Sequence, residues 1–415
     1  RFGFRELGRA TTILAEPWFA EVTGGEGGDD LLADLARSAD PDLGLLALAR
    51  IHENAGPNER SILGEVPTTA GEPRSRLLAV VGASAALGDT LVVHPEDVAV
   101  VTGESGQGIL AEPADDVRAT LLRAVGADPE SDVPVASIEG ATDAMRRCYR
   151  QQLLRIAAAD LTRPDPLSTL PGVAATLADL ASAALEAALA IARAEVADHN
   201  LVRLAVLGMG KTGGRELNYI SDVDVIFVAE VAEGAVEPDG EPVAEDRAMR
   251  IGARLGSAMA RACSSPSREP ALWEVDAALR PEGKQGPLVR TLASHVAYYE
   301  RWAKTWEFQA LLKARPVAGD VDLAQAYLEA IGPMVWTAVQ REHFVEDAQA
   351  MRRRVEAHVP RKDADRQLKL GAGGLRDVEF TVQLLQLVHG RVAPEIRQRN
   401  TLGALAALAQ EGFVG

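Results

Sequence analysis

The first 200 residues carry apolar side chains at the spacing of amphipathic helices. Apolar residues recur at three- and four-residue intervals over residues 31–35, 43–51 and 74–86, and polar or glycine-containing joints separate these runs. The helical spacing strengthens over residues 142–199. Because residues three or four apart share one face of a helix, the pattern predicts a helical region over residues 1–200.

Short apolar runs of strand length follow. Residues 202–207 and 223–228 are apolar and are separated by a glycine-rich stretch and a short polar segment. Residues 272–279 form a third run, which a carboxylate interrupts at Asp276. Residues 246–263 return to helical spacing, which predicts a helix packed on a sheet. The middle of the chain therefore predicts strands and helices together.

Helical spacing returns towards the end of the chain. Residues 294–315 predict one long helix with Trp302 and Trp306 on one side, and a further helix is predicted to begin after Gly373 and Gly374. The pattern as a whole predicts an α+β, mostly helical fold. Its three predicted parts are a helical region at 1–200, a core of strands and helices at 201–320, and a helical domain at 321–415.

Two carboxylates stand at the beginning of the second predicted strand. Asp222 and Asp224 are separated by one residue, so both side chains leave the same face of a strand. Like charges this close raise one another's pKa or recruit a cation, and oxygen ligands suit a hard divalent ion such as Mg²⁺. We therefore predict a metal site at this strand.

The glycines before these acids predict a close approach to an anion. Gly208, Gly210, Gly213 and Gly214 would let backbone N–H groups reach phosphate oxygens. Together, the glycine turn and the carboxylates predict chemistry on a phosphate group with a metal ion.

Two better-known phosphate motifs fit this stretch poorly. A P-loop needs a glycine where Ala205 stands. Gly208-x-Gly210-x-x-Gly213 matches the dinucleotide fingerprint, and Glu230 falls near the position of its ribose-binding acid. That fold, however, needs a crossover helix of about a dozen residues between parallel strands, and only residues 215–221 are available. We reject both motifs.

The pattern resembles that of the DNA polymerase β superfamily of nucleotidyltransferases, which implies that residues 201–320 form a catalytic core with a small mixed sheet and helices. Such proteins combine a Gly-Gly turn, a helix, an acid-x-acid pair on a strand and a third acid on a neighbouring strand. Asp276 is the candidate for the third acid, because a lone carboxylate in an apolar strand would otherwise be costly to bury. The resemblance implies that Asp222, Asp224 and Asp276 are catalytic and bind one or two Mg²⁺ ions.

A narrower resemblance rests on four blocks in a fixed order. GMGKTGGRELNYISDVDVIF, LRPEGKQGPLVR, WEFQALLKARPVAGD and GGLRDVEFTVQLLQL are together similar to the bifunctional glutamine synthetase adenylyltransferase/adenylyl-removing enzymes. The arginine in GGLRDVEF resembles the amino-terminal, adenylyl-removing half, so we interpret the chain as that half of a protein about twice as long.

This resemblance implies a reaction and a set of binding residues. The reaction is phosphorolysis of an AMP group on a tyrosine of glutamine synthetase, with inorganic phosphate as the attacking group and ADP as a product. A PII-type protein is the implied regulator. The implied nucleotide- and phosphate-binding residues are Gly208, Gly210, Lys211, Gly213, Gly214, Ser221, Arg280, Lys313, Arg315, Gly373, Gly374 and Arg376. Many family members have an arginine where this chain has Ala278, so no phosphate role is carried to that position.

Two alternatives stay open at this stage. The same acids would serve the forward adenylyltransferase, which uses ATP to modify glutamine synthetase. A non-catalytic module that binds nucleotide or a regulator is the second alternative, although an unused cluster of acids is an electrostatic liability.

Composition and charge indicate which classes of partner and which location the chain is suited to. The formal net charge of −17 over 415 residues argues against nucleic acid, because its binders usually carry a basic surface. Cys148 and Cys263 are too few and isolated for a disulfide framework or a zinc site. We find no signal peptide and expect no run long enough to span a membrane, so we predict a cytoplasmic protein. Arg1 in place of Met fits a trimmed chain.

Overall fold

A computed structural model describes most of the chain. The described residues are 3–24, 28–66, 71–103, 109–342, 344, 346–347, 350, 352–353 and 366–415. The chain divides into two compact units, of which one comprises Arg1–Pro113 with Arg147–Thr176 and the other Ala114–Arg146 with Leu177–Gly415. Their boundaries differ from the predicted ones at residues 200 and 320, and our three-part division remains a proposal.

The first unit is helical, as the apolar spacing predicts. Its helices are α1 (Leu7–Leu14), α2 (Pro17–Gly24), α3 (Gly28–Ala36), α4 (Pro41–Asn54), α5 (Pro57–Glu65), α6 (Glu72–Ala83), α7 (Ala85–Val93) and α8 (Val98–Thr102). Side chains at the N-termini fix two of them, because Asp40 accepts a hydrogen bond from Leu43 N–H in α4 and Ser84 accepts one from Leu87 N–H in α7. The apolar faces of these helices share one core.

The other helices among the described residues lie wholly or partly in the second unit. They are α9 (Ala114–Ala124), α10 (Ala141–Leu161), α11 (Pro166–Glu195), α12 (Gly210–Gly214), α13 (Glu245–Ser264), α14 (Leu292–Arg301), α15 (Thr305–Leu311), α16 (Val321–Thr337), α17 (Leu375–His389) and α18 (Thr401–Gln410). The boundary between the units falls within α10 and α11. The predicted helix at 246–263 is confirmed as α13.

The second unit contains a five-stranded mixed sheet. Its strands are β1 (Val202–Gly208), β2 (Val223–Val231), β3 (Val275–Asp276), β4 (Val289–Arg290) and β5 (Arg315–Gly319). β1 is antiparallel to both β2 and β5, whereas β3 and β4 are parallel to β2. The antiparallel β1–β2 pair confirms the rejection of a dinucleotide-binding βαβ unit, which needs parallel strands.

Helices cover both faces of the sheet. Gly256 of α13 approaches Phe227 on one face, and Ile226 and Val228 on the other face join the core formed by α14, α15 and α16. Alternation along β2 places Asp224 on the same side as Ile226 and Val228. The α+β, mostly helical fold is therefore confirmed.

Two predicted elements are wrong in extent. The strand predicted at 272–279 is only Val275–Asp276. The helix predicted at 294–315 is broken: α14 ends at Arg301, α15 begins at Thr305, and the chain then enters β5. The break is fixed by a new helix start, where Glu307 accepts a hydrogen bond of 2.8 Å from Lys304 N–H, and by pairing of β5 with β1. Trp302 is therefore 73% exposed instead of packed.

Helix α11 corrects the expectation about membrane-spanning runs. With 30 residues and a window of mean hydropathy 1.5, it is long and apolar enough to cross a membrane by length and composition. α6 and α7, bent by 114°, pass the same test only as a pair. The most apolar window of α11 is 83% buried within the protein, which is typical of a core helix.

Candidate active site

Three carboxylates meet where β2 and β3 run side by side. Asp224 lies opposite Asp276 in the parallel register, and Asp222 immediately precedes β2. One oxygen from each carboxylate lies within 4.8 Å of the others, with Asp222 exposed and the other two partly buried. The structure thus brings together all three predicted acids.

The electrostatics of this cluster favour a cation. Burial, followed by the charges of Asp222 and Asp276, raises the pKa of Asp224 to about 6, while Lys211 and Arg376 oppose the shift. Oxygen ligands within this distance suit a hard divalent ion. The three acids therefore fit a metal site by ligand type and by charge.

The glycine turn packs directly against Asp224. Met209 N–H donates to the backbone carbonyl of Asp224 over 2.8 Å. Gly210 has a φ of +50°, and a Cβ atom there would overlap the Asp224 carboxylate. The superfamily pattern predicts a helix after the glycine turn. In the structure the turn itself forms the helix, α12, and residues 215–222 are not helical.

Gly208, Gly213 and Gly214 provide close packing. A Cβ at Gly208 would overlap Val317, and one at Gly213 would overlap the backbone carbonyls of Lys313 and Gly208. Gly213 N–H donates to Met209 O over 2.9 Å, so the structure does not leave this group free for phosphate. The close approach that these glycines permit is to the chain itself.

We predict that Gly213→Ala lowers the free energy of unfolding by about 2 kcal/mol, because overpacking against backbone cannot relax through a side-chain rotation. Urea unfolding measures this loss. The control is Gly332→Ala in α16, where a Cβ has nothing within 4 Å and alanine should stabilise the helix slightly. Equal unfolding curves for wild type and Gly213→Ala would contradict the packing role.

Lys211 and Ser221 lie beside the acids, as predicted. Lys211 Nζ donates to Asn218 Oδ1 over 2.9 Å and to Ser221 Oγ over 3.3 Å. Burial lowers the pKa of Lys211, as does the charge of Lys369, while Asp222, Asp224 and Glu379 raise it. Our sequence analysis missed Asn218 and Lys369. Both residues lie next to motifs that the sequence analysis had identified. Asn218 lies between Gly214 and Asp222, and Lys369 lies four residues before Gly373.

The sequence predicts that Gly373, Gly374 and Arg376 bind phosphate at the amino end of α17. The backbone N–H groups there are not available for this role. Gly373 N–H donates to the Asp377 carboxylate, and Leu375 N–H and Arg376 N–H donate to the carbonyls of Leu368 and Lys369. These N–H groups are therefore already satisfied by the chain. Gly373, with a φ of +73°, and Gly374 shape the turn that permits this pairing.

The Arg376 side chain remains suited to an anion. Its guanidinium carbon lies 5.4 Å from the centre of the Phe380 ring, and its Nε is 3.9 Å from a Glu379 oxygen. That Nε is buried and makes no hydrogen bond in the structure. The Arg376 charge also lowers the pKa of Asp224, so the arginine lies near the acid cluster.

Lys313 proves to be a buried junction and is not exposed to phosphate. Its amine is 2.8 Å from Glu216, 2.6 Å from Glu379 and 3.3 Å from Thr401 Oγ1. Burial lowers the pKa of Lys313, but the two carboxylates more than offset this and raise it overall. The lysine thereby joins the loop after the glycine turn to α17 and α18.

Arg315 holds the end of the glycine turn. Its Nη2 donates to Thr212 O over 3.0 Å and to Ser182 Oγ over 3.1 Å. Asp179 pairs with the neighbouring Arg215, which has a left-handed φ of +54°. Arg315 also lines a cavity of about 1130 Å³ along β5 that contains none of the three acids. The structure thus indicates a positioning role for this predicted phosphate ligand.

Arg280 closes the loop that follows Asp276. It donates to the carbonyls of Ala277 at 2.7 Å, Gly286 at 3.1 Å and Pro287 at 3.1 Å. Burial lowers its pKa. The prediction placed Arg280 at the end of a strand, but it lies in a turn and is committed to backbone carbonyls.

A buried arginine supports the segment that leads into β3. Arg146 is fully buried, and its guanidinium donates to the carbonyls of Ala262, Ser265 and Glu269 over 2.7–3.0 Å. These carbonyls lie at the end of α13 and in the loop before Asp276. The contacts fix the path by which the third acid reaches the cluster.

The comparisons with known proteins agree with this geometry. Residues 74–330 match the family model described as glutamate-ammonia ligase adenylyltransferase. Residues 349–415 match the model described as GlnD PII-uridylyltransferase. Both descriptions are of enzymes that transfer nucleotidyl groups, which is the chemistry that the acid cluster suggests.

Curated relatives extend the similarity to the whole chain. The bifunctional glutamine synthetase adenylyltransferase/adenylyl-removing enzyme of Streptomyces avermitilis is 49% identical over 100% of this chain and 39% of its own length. The Bifidobacterium longum subsp. infantis enzyme is 46% identical over 100% and 38%. That of Mycolicibacterium smegmatis is 48% identical over 93% and 37%. The chain thus spans less than two fifths of the length of these relatives.

Proposed function

Because the chain belongs to the glutamate-ammonia ligase adenylyltransferase family, we propose that it removes AMP from an adenylylated tyrosine of glutamine synthetase by phosphorolysis. The observation that carries the proposal is Arg376 of the GGLRDVEF segment, whose buried Nε makes no hydrogen bond and whose charge lies near Asp224. A second phosphate, beside the one on the tyrosine, needs such a cation. Both activities in the relatives' names concern glutamine synthetase.

The proposed reaction exchanges one phosphoester bond for a phosphoanhydride bond. An oxygen of inorganic phosphate attacks the adenylyl phosphorus, the bond from phosphorus to the tyrosine oxygen breaks, and that oxygen takes a proton. The products are ADP and free tyrosine. Asp222, Asp224 and Asp276 would hold Mg²⁺, which when bound supplies positive charge near the phosphate of the transferred adenylyl group.

The chain's own cations would orient the anionic groups. Lys211, held by Asn218 and Ser221, lies where it can contact the adenylyl phosphate. Arg376 binds the attacking phosphate through its guanidinium, which favours planar oxyanions. The two cations therefore have separate substrates, which makes their roles separable by kinetics.

The test is to mix the chain with adenylylated glutamine synthetase and Mg²⁺, with and without inorganic phosphate, and to identify the released nucleotide. ADP released only with phosphate supports the proposal. Transfer of label from ATP to unmodified glutamine synthetase, without ADP release, would assign the forward adenylyltransferase instead. Neither reaction would favour a binding module.

We predict that Arg376→Ala raises the KM for phosphate at least about tenfold, because a charge-assisted hydrogen bond contributes roughly 1.5–3 kcal/mol. Phosphate titration of ADP release measures it. Arg376→Lys should retain part of the affinity, and Arg366→Ala, at an exposed arginine of the preceding segment, should leave the KM unchanged. An unaltered phosphate dependence in Arg376→Ala would refute the assignment.

We also propose a regulator, a cellular location and a division of the chain into three parts. A PII-type protein is the proposed regulator, supported by the similarity of residues 349–415 to a PII-uridylyltransferase. A cytoplasmic location follows from the proposed substrate. We also keep the division into a helical region at 1–200, a catalytic core at 201–320 and a helical domain at 321–415 as a proposal about how these roles are distributed.

A further inference from the structure

We propose that a ring of exposed apolar side chains beside the acid cluster docks the protein that carries the nucleotidylated tyrosine. This apolar rim consists of Tyr219, Ile220, Leu368, Leu375 and Val378. The inference rests on the proposed function and deepens it, since it names the surface that recognises the substrate as a protein.

The rim residues belong to the two segments that supply the site. Tyr219 and Ile220 precede Ser221 and Asp222, and Leu375 and Val378 flank Arg376 in the first turn of α17. Leu368 is held to this turn, because its carbonyl accepts a hydrogen bond of 2.9 Å from Leu375 N–H. The rim therefore follows from the same local structure as the site.

A buried contact holds the two segments together. Lys313 bridges Glu216 at 2.8 Å and Glu379 at 2.6 Å. Glu216 lies three residues before Tyr219, and Glu379 directly follows Val378. One lysine thus ties the segment before the acids to the first turns of α17, so that the two segments that carry the rim are held together.

The exposed rim side chains are too numerous for a small substrate to cover. Ile220 is 90% exposed, Leu368 81% and Leu375 69%. Apolar groups gathered at one place on a surface mark interaction sites, and a phosphate or nucleotide would cover few of them. A folded protein that presents its tyrosine to the acids would cover them together.

Charge favours an apolar contact with this partner. The chain carries a formal net charge of −17, which gives no long-range attraction to a partner unless that partner is basic. Beside the rim, Lys211 can meet the phosphate on the tyrosine, and Lys369 adds a second positive charge close to Lys211. The surface that fits is a protein surface with apolar side chains around a nucleotidylated tyrosine.

The test compares Ile220→Ser, Leu375→Ser and the double variant with Val321→Ser. Val321 is the matched control, since it is 68% exposed and begins α16 outside the rim. With adenylylated glutamine synthetase as substrate, we expect each rim change to raise the KM about tenfold, equivalent to about 1.4 kcal/mol. The kcat, the Mg²⁺ affinity measured by calorimetry, and all parameters of Val321→Ser should stay at wild-type values.

Other outcomes overturn the inference. A KM in the double variant within about twofold of wild type would do so, as would a fall in kcat and Mg²⁺ affinity at constant KM, which would mean a structural role. Loss of concentration-dependent self-association, again at constant KM, would assign the rim to a second copy of the chain.

If the proposed function is wrong, the wild type will release no ADP, and this result does not depend on the rim. In that case the docking role of the rim is tested only by the binding of adenylylated glutamine synthetase to the immobilised chain. Binding lost in the double variant and kept in Val321→Ser supports the rim, whereas equal binding or none by wild type overturns it.

Discussion

Asp224→Asn is expected to abolish tight Mg²⁺ binding and to slow nucleotidyl transfer by about a thousandfold. The change keeps the size of the side chain but removes a charge from the centre of the cluster. Asp224 is the member that contacts the glycine turn through its backbone and lies opposite Asp276 in the sheet. Its loss therefore leaves Asp222 and Asp276 without the ligand between them.

Calorimetric titration with Mg²⁺ and the rate of ADP release measure the two effects. The matched control is Glu274→Gln, since Glu274 is an exposed acid on the same segment as Asp276 but outside the cluster. It should behave as wild type. Asp224→Asn should fold normally, because removing one of three repelling charges relieves strain in the absence of metal. Retained Mg²⁺ binding would show that the acids are not the metal site.

Lys313→Met is expected to lower the free energy of unfolding by about 3 kcal/mol, because it leaves the carboxylates of Glu216 and Glu379 without their shared cation. The lysine side chain is 4% exposed, so water cannot replace its charge. The same change should weaken phosphate binding, since α17 would lose its tie to the loop after the glycine turn.

Urea unfolding and the KM for phosphate report the two effects. Lys284→Met, at an exposed lysine, should change neither. Adding Glu379→Gln to Lys313→Met should restore part of the stability, because it removes one of the two unpaired charges. If Lys313→Met were as stable as wild type, the buried junction would not be holding these elements together.

The features that the sequence predicted well depend on local periodicity. A spacing of one residue places Asp222 and Asp224 on one face of an extended chain, whatever the rest of the fold does. The shortage of residues between the first two strands likewise excludes a crossover helix, and the antiparallel pairing of β1 and β2 agrees.

What the sequence could not predict depends on distant contacts. The partners of Lys313 lie 97 and 66 residues away in the chain, so nothing near the lysine distinguishes a buried junction from a phosphate ligand. The N–H groups of α17 are satisfied by carbonyls of a preceding turn, which the two glycines alone do not reveal. The helix predicted at 294–315 fails for the same reason, because its last residue, Arg315, begins β5 and pairs with β1.

The brevity of β3 makes the site sensitive to chain length. Strand β3 pairs with β2 through Val275 and Asp276 alone, and a shift of one residue would turn Asp276 to the opposite face of the sheet. Deleting a single residue from the loop between α13 and β3 should therefore disable catalysis while conserving every acid. For this loop, natural selection should tolerate substitutions far more readily than insertions or deletions.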